Sequence, residues 1–259
     1  MKNIIDQHVH TEFSVDSKVK LEDYFKVAQS LGQKAICFTD HVDYDSLDYG
    51  GSDIAFDYQK ILEKGHRLAN EFGINYLVGC EIGYRVDLED EINNYLSDKE
   101  FDIILFSVHQ HNEEHFAFSS YDDHITASKY FENLNQMLDS NFDFDIITHI
   151  DYVFRYLNDK ESFVNYTTEY TQILKKIIKK NVAIEINTKS VMVIGNYEFV
   201  NFILKLYYDL GGKHVSLGSD CHFLERYKEG FEEIIEIMKV IGFETVTTFS
   251  QRQKNLVKI

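Results

Sequence analysis

Short apolar runs alternate with longer amphipathic stretches along this chain. The runs cover Ile4 to Val9, Ala35 to Thr39, Tyr76 to Ile82, Ile103 to Val108, Asp145 to Thr148, Val182 to Asn187 and His214 to Ser219. They are apolar and often β-branched, as expected of strands covered on both faces. Thr245 to Phe249 reads as one more strand. Between the runs, Leu21 to Leu31, Tyr58 to Phe72, Leu88 to Leu96, Ile125 to Leu138, Tyr166 to Lys180, Tyr197 to Leu210 and Tyr227 to Ile241 carry apolar residues at helical spacing. Gly32, Gly73, Gly211 and Gly242 stand where four of these stretches stop, a common C-terminal cap. Strand-then-helix repetition predicts an α/β protein with a parallel sheet. A closed barrel is the first choice and a doubly wound open sheet the second. No linker, repeat or low-complexity tract divides residues 1–259, so one domain is expected. No G-x-G-x-x-G follows a strand, which argues against dinucleotide binding.

The strand ends carry the chemistry. The first run passes through His8-Val9-His10, the second into Thr39-Asp40-His41, and the third ends around Glu81. The fourth closes on His109, the fifth on His149, and the seventh on Asp220-Cys221-His222. One such residue alone is ordinarily a solvated loop group. A barrel, however, brings its strand ends to one rim, where the six would converge. A cluster of titratable groups is costly to desolvate, and bound cations would offset that cost. On an extended segment both histidines of His-x-His point the same way, as do Asp220 and His222. Nitrogen and carboxylate donors without thiolate suit zinc, manganese or iron rather than calcium. The donors are too many for one tetrahedral ion, so two or three divalent ions are expected.

Composition narrows the partners. The 259 residues are 44% hydrophobic and carry a net charge of -17, with no basic footprint for a duplex or aromatic-lined track for a long single strand. No apolar run is long enough to cross a membrane, and the short run after Met1 is too short for a signal peptide core. Cys37, Cys80 and Cys221 are far apart and read as reduced packing residues, so a cytoplasmic protein is expected. A small anionic substrate remains compatible with the acidity, because metal ions invert the local field.

Seven stretches together resemble the polymerase-and-histidinol-phosphatase (PHP) family, and its histidinol-phosphatase branch most closely. They are Asp6-Gln7-His8-Val9-His10-Thr11, Phe38-Thr39-Asp40-His41-Val42-Asp43, Gly79-Cys80-Glu81-Ile82-Gly83, Ser107-Val108-His109, Thr148-His149-Ile150-Asp151-Tyr152, Glu185-Ile186-Asn187-Thr188 and Gly218-Ser219-Asp220-Cys221-His222. The resemblance implies a distorted (β/α)7 barrel with a three-ion centre. It implies a first ion on His8, His10, Glu81 and Asp220, and a second on Glu81, as a bridge, with His109 and His149. A third would sit on Asp16, His41 and His222. Asp6 and Asp40 read as supporting or capping groups. Water activated by the ions would attack phosphorus in line, with Asp220 or His222 handling protons. Arg155 and Lys189 follow strands on the same rim and are candidate phosphate contacts, and His111 is a candidate substrate contact. His66, His115, His124 and His214 read as structural. Asp43 and Asp122 are acidic loop groups that could meet an ammonium. Many relatives in this branch carry an Arg where this chain has Val191-Met192-Val193-Ile194. The expected reaction is hydrolysis of a phosphate monoester, L-histidinol phosphate first. A phosphodiesterase, nucleotide bisphosphatase or exonuclease activity is the alternative, and a non-catalytic metal-binding protein comes third.

Overall fold

A computed structural model describes residues 3–112 and 114–259. The described strands are β1 (Ala35–Phe38), β2 (His41–Ser46), β3 (Ser52–Ala55), β4 (Asn75–Gly83), β5 (Ile103–Ser107), β6 (Gln110–His111), β7 (Glu114–His115), β8 (Ile146–Ile147), β9 (Ala183–Asn187), β10 (Val215–Gly218), β11 (Thr245–Ser250) and β12 (Gln253–Lys258). The helices are α1 (Leu21–Ser30), α2 (Tyr58–Phe72), α3 (Glu89–Leu96), α4 (Asp123–Asp139), α5 (Thr167–Lys180), α6 (Lys189–Met192), α7 (Tyr197–Asp209) and α8 (Phe231–Ile241). Six of the seven expected helices lie within two residues of their predicted limits. The seventh, α8, starts four residues late, because Gly230 takes a left-handed conformation at its N-cap.

The main sheet runs in the order β10-β9-β8-β5-β4-β2-β3, with β1 also on β4. All its pairs are parallel except the β2–β3 hairpin. β1 and β2 are one line of chain, since Phe38 faces Val78 and His41 faces Glu81 in the same register. The first expected strand, Ile4 to Val9, is instead an extended segment with one isolated bridge, Val9 to Cys221. Toward β10 it makes three backbone hydrogen bonds: Gln7 N–H to Leu217 O at 3.5 Å, Asp220 N–H to His8 O at 2.8 Å and His10 N–H to Cys221 O at 3.1 Å. Toward β1 it makes one, Thr39 N–H to Val9 O at 2.9 Å. Side chains reinforce both sides. Asp6 accepts from Ser219 Oγ at 2.5 Å and Ser219 N at 3.0 Å, while Asp40 accepts from Thr11 N at 2.6 Å and Thr11 Oγ1 at 2.8 Å. The segment thus spans the gap between the ends of β1 and β10, as a distorted barrel requires. β11 lies outside this sheet and forms an antiparallel hairpin with β12.

Period two along the strands sorts the interior into layers. Cys37, Leu77, Ile103, Leu105, Ile146, Ala183 and Phe249 form a small apolar cluster of their own. Their neighbours Phe38, Val78, Phe106 and Ile184 belong to the large cluster that includes Leu21, Phe25, Leu68 and Ile173 of the helices. Following the inner face toward the C-terminal strand ends, β4 passes from Leu77 to Gly79 to Glu81, and β9 from Ala183 to Glu185 to Asn187. The barrel interior is therefore apolar at one end and charged at the other. Gly79 lies between the two layers, where a Cβ would stand 2.4 Å from Ile103 Cγ2 and 2.8 Å from Ile103 O. Gly79→Val is expected to destabilise the fold by about 1–3 kcal/mol, as overpacking does. A denaturation midpoint unchanged from the parent would show that the interior has room there.

Candidate metal centre

Glu81 ends the inner face of β4 with 0% exposure. Its Oε2 lies 3.1 Å from His8 Nε2, 3.4 Å from His10 Nε2 and 3.1 Å from His41 Nδ1. Its Oε1 lies 2.9 Å from His149 Nε2 and 3.4 Å from His109 Nε2. Asp220 closes the other side, with Oδ1 3.8 Å from His8 Nε2 and 3.4 Å from His10 Nε2. A second knot lies toward the cleft mouth, where Asp16 Oδ2 stands 2.7 Å from His222 Nε2 and 3.4 Å from His41 Nε2. The His10 ring is stacked between His41 and His222 at centroid distances of 4.2 and 4.3 Å. The structure thus brings all nine sequence-derived donors into one cluster. Donor atoms of eight of them converge in three groups of ion-binding size: His8, His10 and Asp220; His8, Glu81 and His149; and His10, Asp16, His41 and His222. The ninth, His109, stands beside the second group through Glu81 Oε1.

The donor chemistry fits transition-metal ions. Among the described residues, His8 Nε2, His10 Nε2, His41 Nδ1, Glu81 Oε2 and His149 Nδ1 are buried without a hydrogen bond. Such atoms are expensive to bury unless something else satisfies them. The far nitrogens are held: His8 Nδ1 by Glu185 Oε1 at 2.6 Å, His10 Nδ1 by Ser14 Oγ at 3.2 Å, His109 Nδ1 by Asp43 Oδ1 at 3.1 Å. With Nδ1 occupied, Nε2 presents its lone pair inward, the usual arrangement around a bound cation. His149 and Asp220 hold left-handed backbones, φ 21° and 51°, a strained conformation for non-glycine residues that is concentrated at working sites.

Electrostatics follow from the crowding. Burial alone would raise the Glu81 pKa, but His8 and His41 outweigh it and hold the carboxyl well below its ordinary range. Burial likewise raises Asp220, yet Lys189 and His8 hold it well below. His10 is pushed down to about 3, first by burial and then by His41 and His222, so it stays a neutral donor.

Two glycines make room for the supporting carboxylates. A Cβ on Gly83 would stand 1.7 Å from Asp43 Oδ1, and one on Gly218 would stand 2.0 Å from Glu185 Oε1. Sequence reading left Glu185 without a role, although a carboxylate inside a fully apolar strand was its signal. Asp43 does not point to solvent as a loop charge would. It lies against His41 and His109. Asp122 is the N-cap of α4, accepting from Ile125 N at 2.9 Å.

A cleft of about 110 Å³ opens over the cluster, and Lys189, Asp48, Tyr152 and His115 line it with the donors. Lys189 Nζ lies 3.3 Å from Asp220 Oδ2. Arg155 is 5% exposed rather than a surface residue. Its Nε and one terminal nitrogen are bonded to Asp151, each at 3.1 Å, and that nitrogen also donates to Ser190 Oγ at 2.9 Å. Nη1 is turned to Asp220 Oδ2 at 3.8 Å. His111 is not brought to the cleft, since its Nδ1 lies 2.8 Å from Asn133 Oδ1 on α4. His115, read as structural, lines the cleft instead, with Nε2 3.0 Å from Asp48 Oδ2. The two lie on opposite arms of the β6–β7 hairpin, and hairpin register decided between them.

Comparison with known proteins agrees with this geometry. The chain is 30% identical to a histidinol-phosphatase of Lactococcus lactis subsp. lactis strain IL1403, over 95% of this chain and 94% of that one. It is 28% identical to a probable histidinol-phosphatase of Thermotoga maritima, over 93% and 94%. A crystal structure of histidinol phosphate phosphatase from Lactococcus lactis, complexed with zinc, L-histidinol and phosphate, superposes with a TM-score of 0.88 at 25% identity, covering 98% of this chain and 99% of that one. The PHP domain pattern matches residues 6–189, so the chain belongs to the PHP domain family.

Proposed function

We propose that this chain hydrolyses L-histidinol phosphate to L-histidinol and phosphate, as a cytoplasmic enzyme of histidine biosynthesis built as one PHP unit over residues 1–259. The observation that carries the proposal is end-to-end similarity to a phosphatase whose structure holds zinc, L-histidinol and phosphate, together with a converged donor cluster in this chain.

In this reading His8, His10, Glu81 and Asp220 hold one divalent ion, and Glu81, His109 and His149 a second. Asp16, His41 and His222 hold a third. Zinc leads, with manganese and iron as alternatives that the same donors suit. When bound, such ions lower the pKa of water and neutralise charge on a phosphoryl group. The protein's own share is positioning. Lys189, with its side chain 36% exposed beside the cleft, is the foremost phosphate contact, and its proximity to Asp220 Oδ2 places a cation where phosphate oxygens would arrive. Arg155 contributes through Nη1, because Asp151 holds the rest of its fork. Asp220 and His222 are the proton-handling pair, linked by His222 Nδ1 donating to Asp220 O at 3.0 Å. Asp48, in the cleft wall, is the carboxylate available to the substrate's ammonium group. His111 has no part in this arrangement.

Four outcomes are expected. Removal of metal by a chelator should abolish turnover of histidinol phosphate, and Glu81→Ala should lose both metal content and nearly all kcat. Turnover by rigorously metal-free protein would refute the mechanism. Lys189→Ala should lower kcat/KM by about ten- to a hundredfold, the cost of a charge-assisted contact of roughly 1.5–3 kcal/mol. A larger loss from Arg155→Ala, with metal content kept, would return the main phosphate contact to Arg155. Glu185→Gln should weaken zinc binding by about 10–100-fold in a chelator competition, since it removes the charge behind His8. Equal zinc affinity in that variant would make Glu185 a packing residue only.

A further inference from the structure

Asp43 touches two of the donor histidines at once. Its Oδ1 lies 3.1 Å from His109 Nδ1 and its Oδ2 lies 3.2 Å from His41 Nδ1. The opposite nitrogens of these two rings point to different places. His109 Nε2 faces Glu81 Oε1 at 3.4 Å, and His41 Nε2 faces Asp16 Oδ2 at 3.4 Å. The rings meet edge to face, 5.7 Å between centroids. One carboxylate thereby sets the angle of a donor in the deep group and of a donor in the outer group. Its own freedom is small. β2 carries it beside Gly83 of β4, whose missing Cβ is the space its Oδ1 occupies.

We infer that Asp43 is a positioning residue that couples the loading of two metal sites, the one built on Glu81, His109 and His149 and the one built on Asp16, His41 and His222. The inference rests on the metal-centre assignment above and adds a connection within it. With His109 Nε2 engaged by an ion, its Nδ1–H would bond Asp43 more strongly and fix the carboxylate. The fixed carboxylate, 3.2 Å from His41 Nδ1, would then join Glu81 Oε2, at 3.1 Å, in ordering that ring with its Nε2 toward Asp16. The same path runs in reverse, because a coupling free energy between two sites is reciprocal. Glu185 touches one donor ring, that of His8, and meets His149 only at its backbone N–H, 3.0 Å away.

The test is a zinc titration of the full chain against a competing chelator, read as stoichiometry and stepwise affinity. In the parent, His109→Ala should weaken zinc at the outer site as well as at its own. In an Asp43→Asn background, which keeps side-chain size, both sites should bind about 10–100-fold more weakly, and adding His109→Ala should leave the outer site unchanged. Gly83→Ala, which pushes the carboxylate aside without removing it, should reproduce the Asp43→Asn pattern. Circular dichroism of the metal-free variants checks that each is folded. Parent protein that takes up no zinc would overturn the metal-centre assignment itself. Parent protein that fills its sites while Asp43→Asn fills them with the same affinities would overturn only the coupling. So would a loss confined to one of the two sites.

Discussion

A carboxylate with no exposed surface, Glu81, lies within 3.4 Å of five imidazole rings. Little else in the molecule makes sense without the demand this places on its surroundings. An ionised carboxylate in such a place is tolerable only if positive charge and donors surround it on every side. Each neighbouring strand end supplies one. β4 provides the acid, and the ends of β1, β5 and β8, with the opening segment, provide His41, His109, His149, His8 and His10. Because the imidazoles then need partners on their outer nitrogens, a further ring of acceptors follows: Glu185, Asp43 and Ser14. Two glycines, Gly83 and Gly218, exist where those acceptors need volume.

The apolar half of the barrel makes the polar half possible. Leu77, Ile103, Leu105, Ile146 and Ala183 fill the interior below Glu81. They exclude water from one side and fix the strand spacing that sets the distances between donors. At the rim, His149 and Asp220 take left-handed backbones while their side chains reach into the donor cluster. A packed base under a strained, charged rim is the division of labour that lets a barrel hold reactive geometry without losing its fold.

Most of this was legible in the sequence because the strands announce themselves as apolar runs and the donors sit at their ends. What was hidden depended on pairing rather than pattern. Ile4 to Val9 has the composition of a strand, yet it forms one isolated bridge, with three backbone bonds toward Leu217–Cys221 and one toward Thr39, too few to make a regular ladder. Whether His111 or His115 enters the cleft turns on the register of a two-residue hairpin, which local sequence does not specify. Arg155 looked like a rim cation free to take phosphate. Asp151, four residues earlier on the same short turn, claims its fork. Glu185 was visible as a charge in an apolar strand, and only the geometry showed that it faces His8.

The opening segment has a consequence for how the molecule comes into being. Thr39 and Asp40 hold one side of the segment, but the backbone bonds on its other side come from Leu217, Asp220 and Cys221, more than two hundred residues later. Until those residues are in place, the His8–His10 pair has partners on one side only. Closure is a late event of very high sequence separation, slow in principle and dependent on everything between already being folded. Completion of the donor cluster, which needs Asp220 and His222, thus falls at the same late step as closure of the sheet.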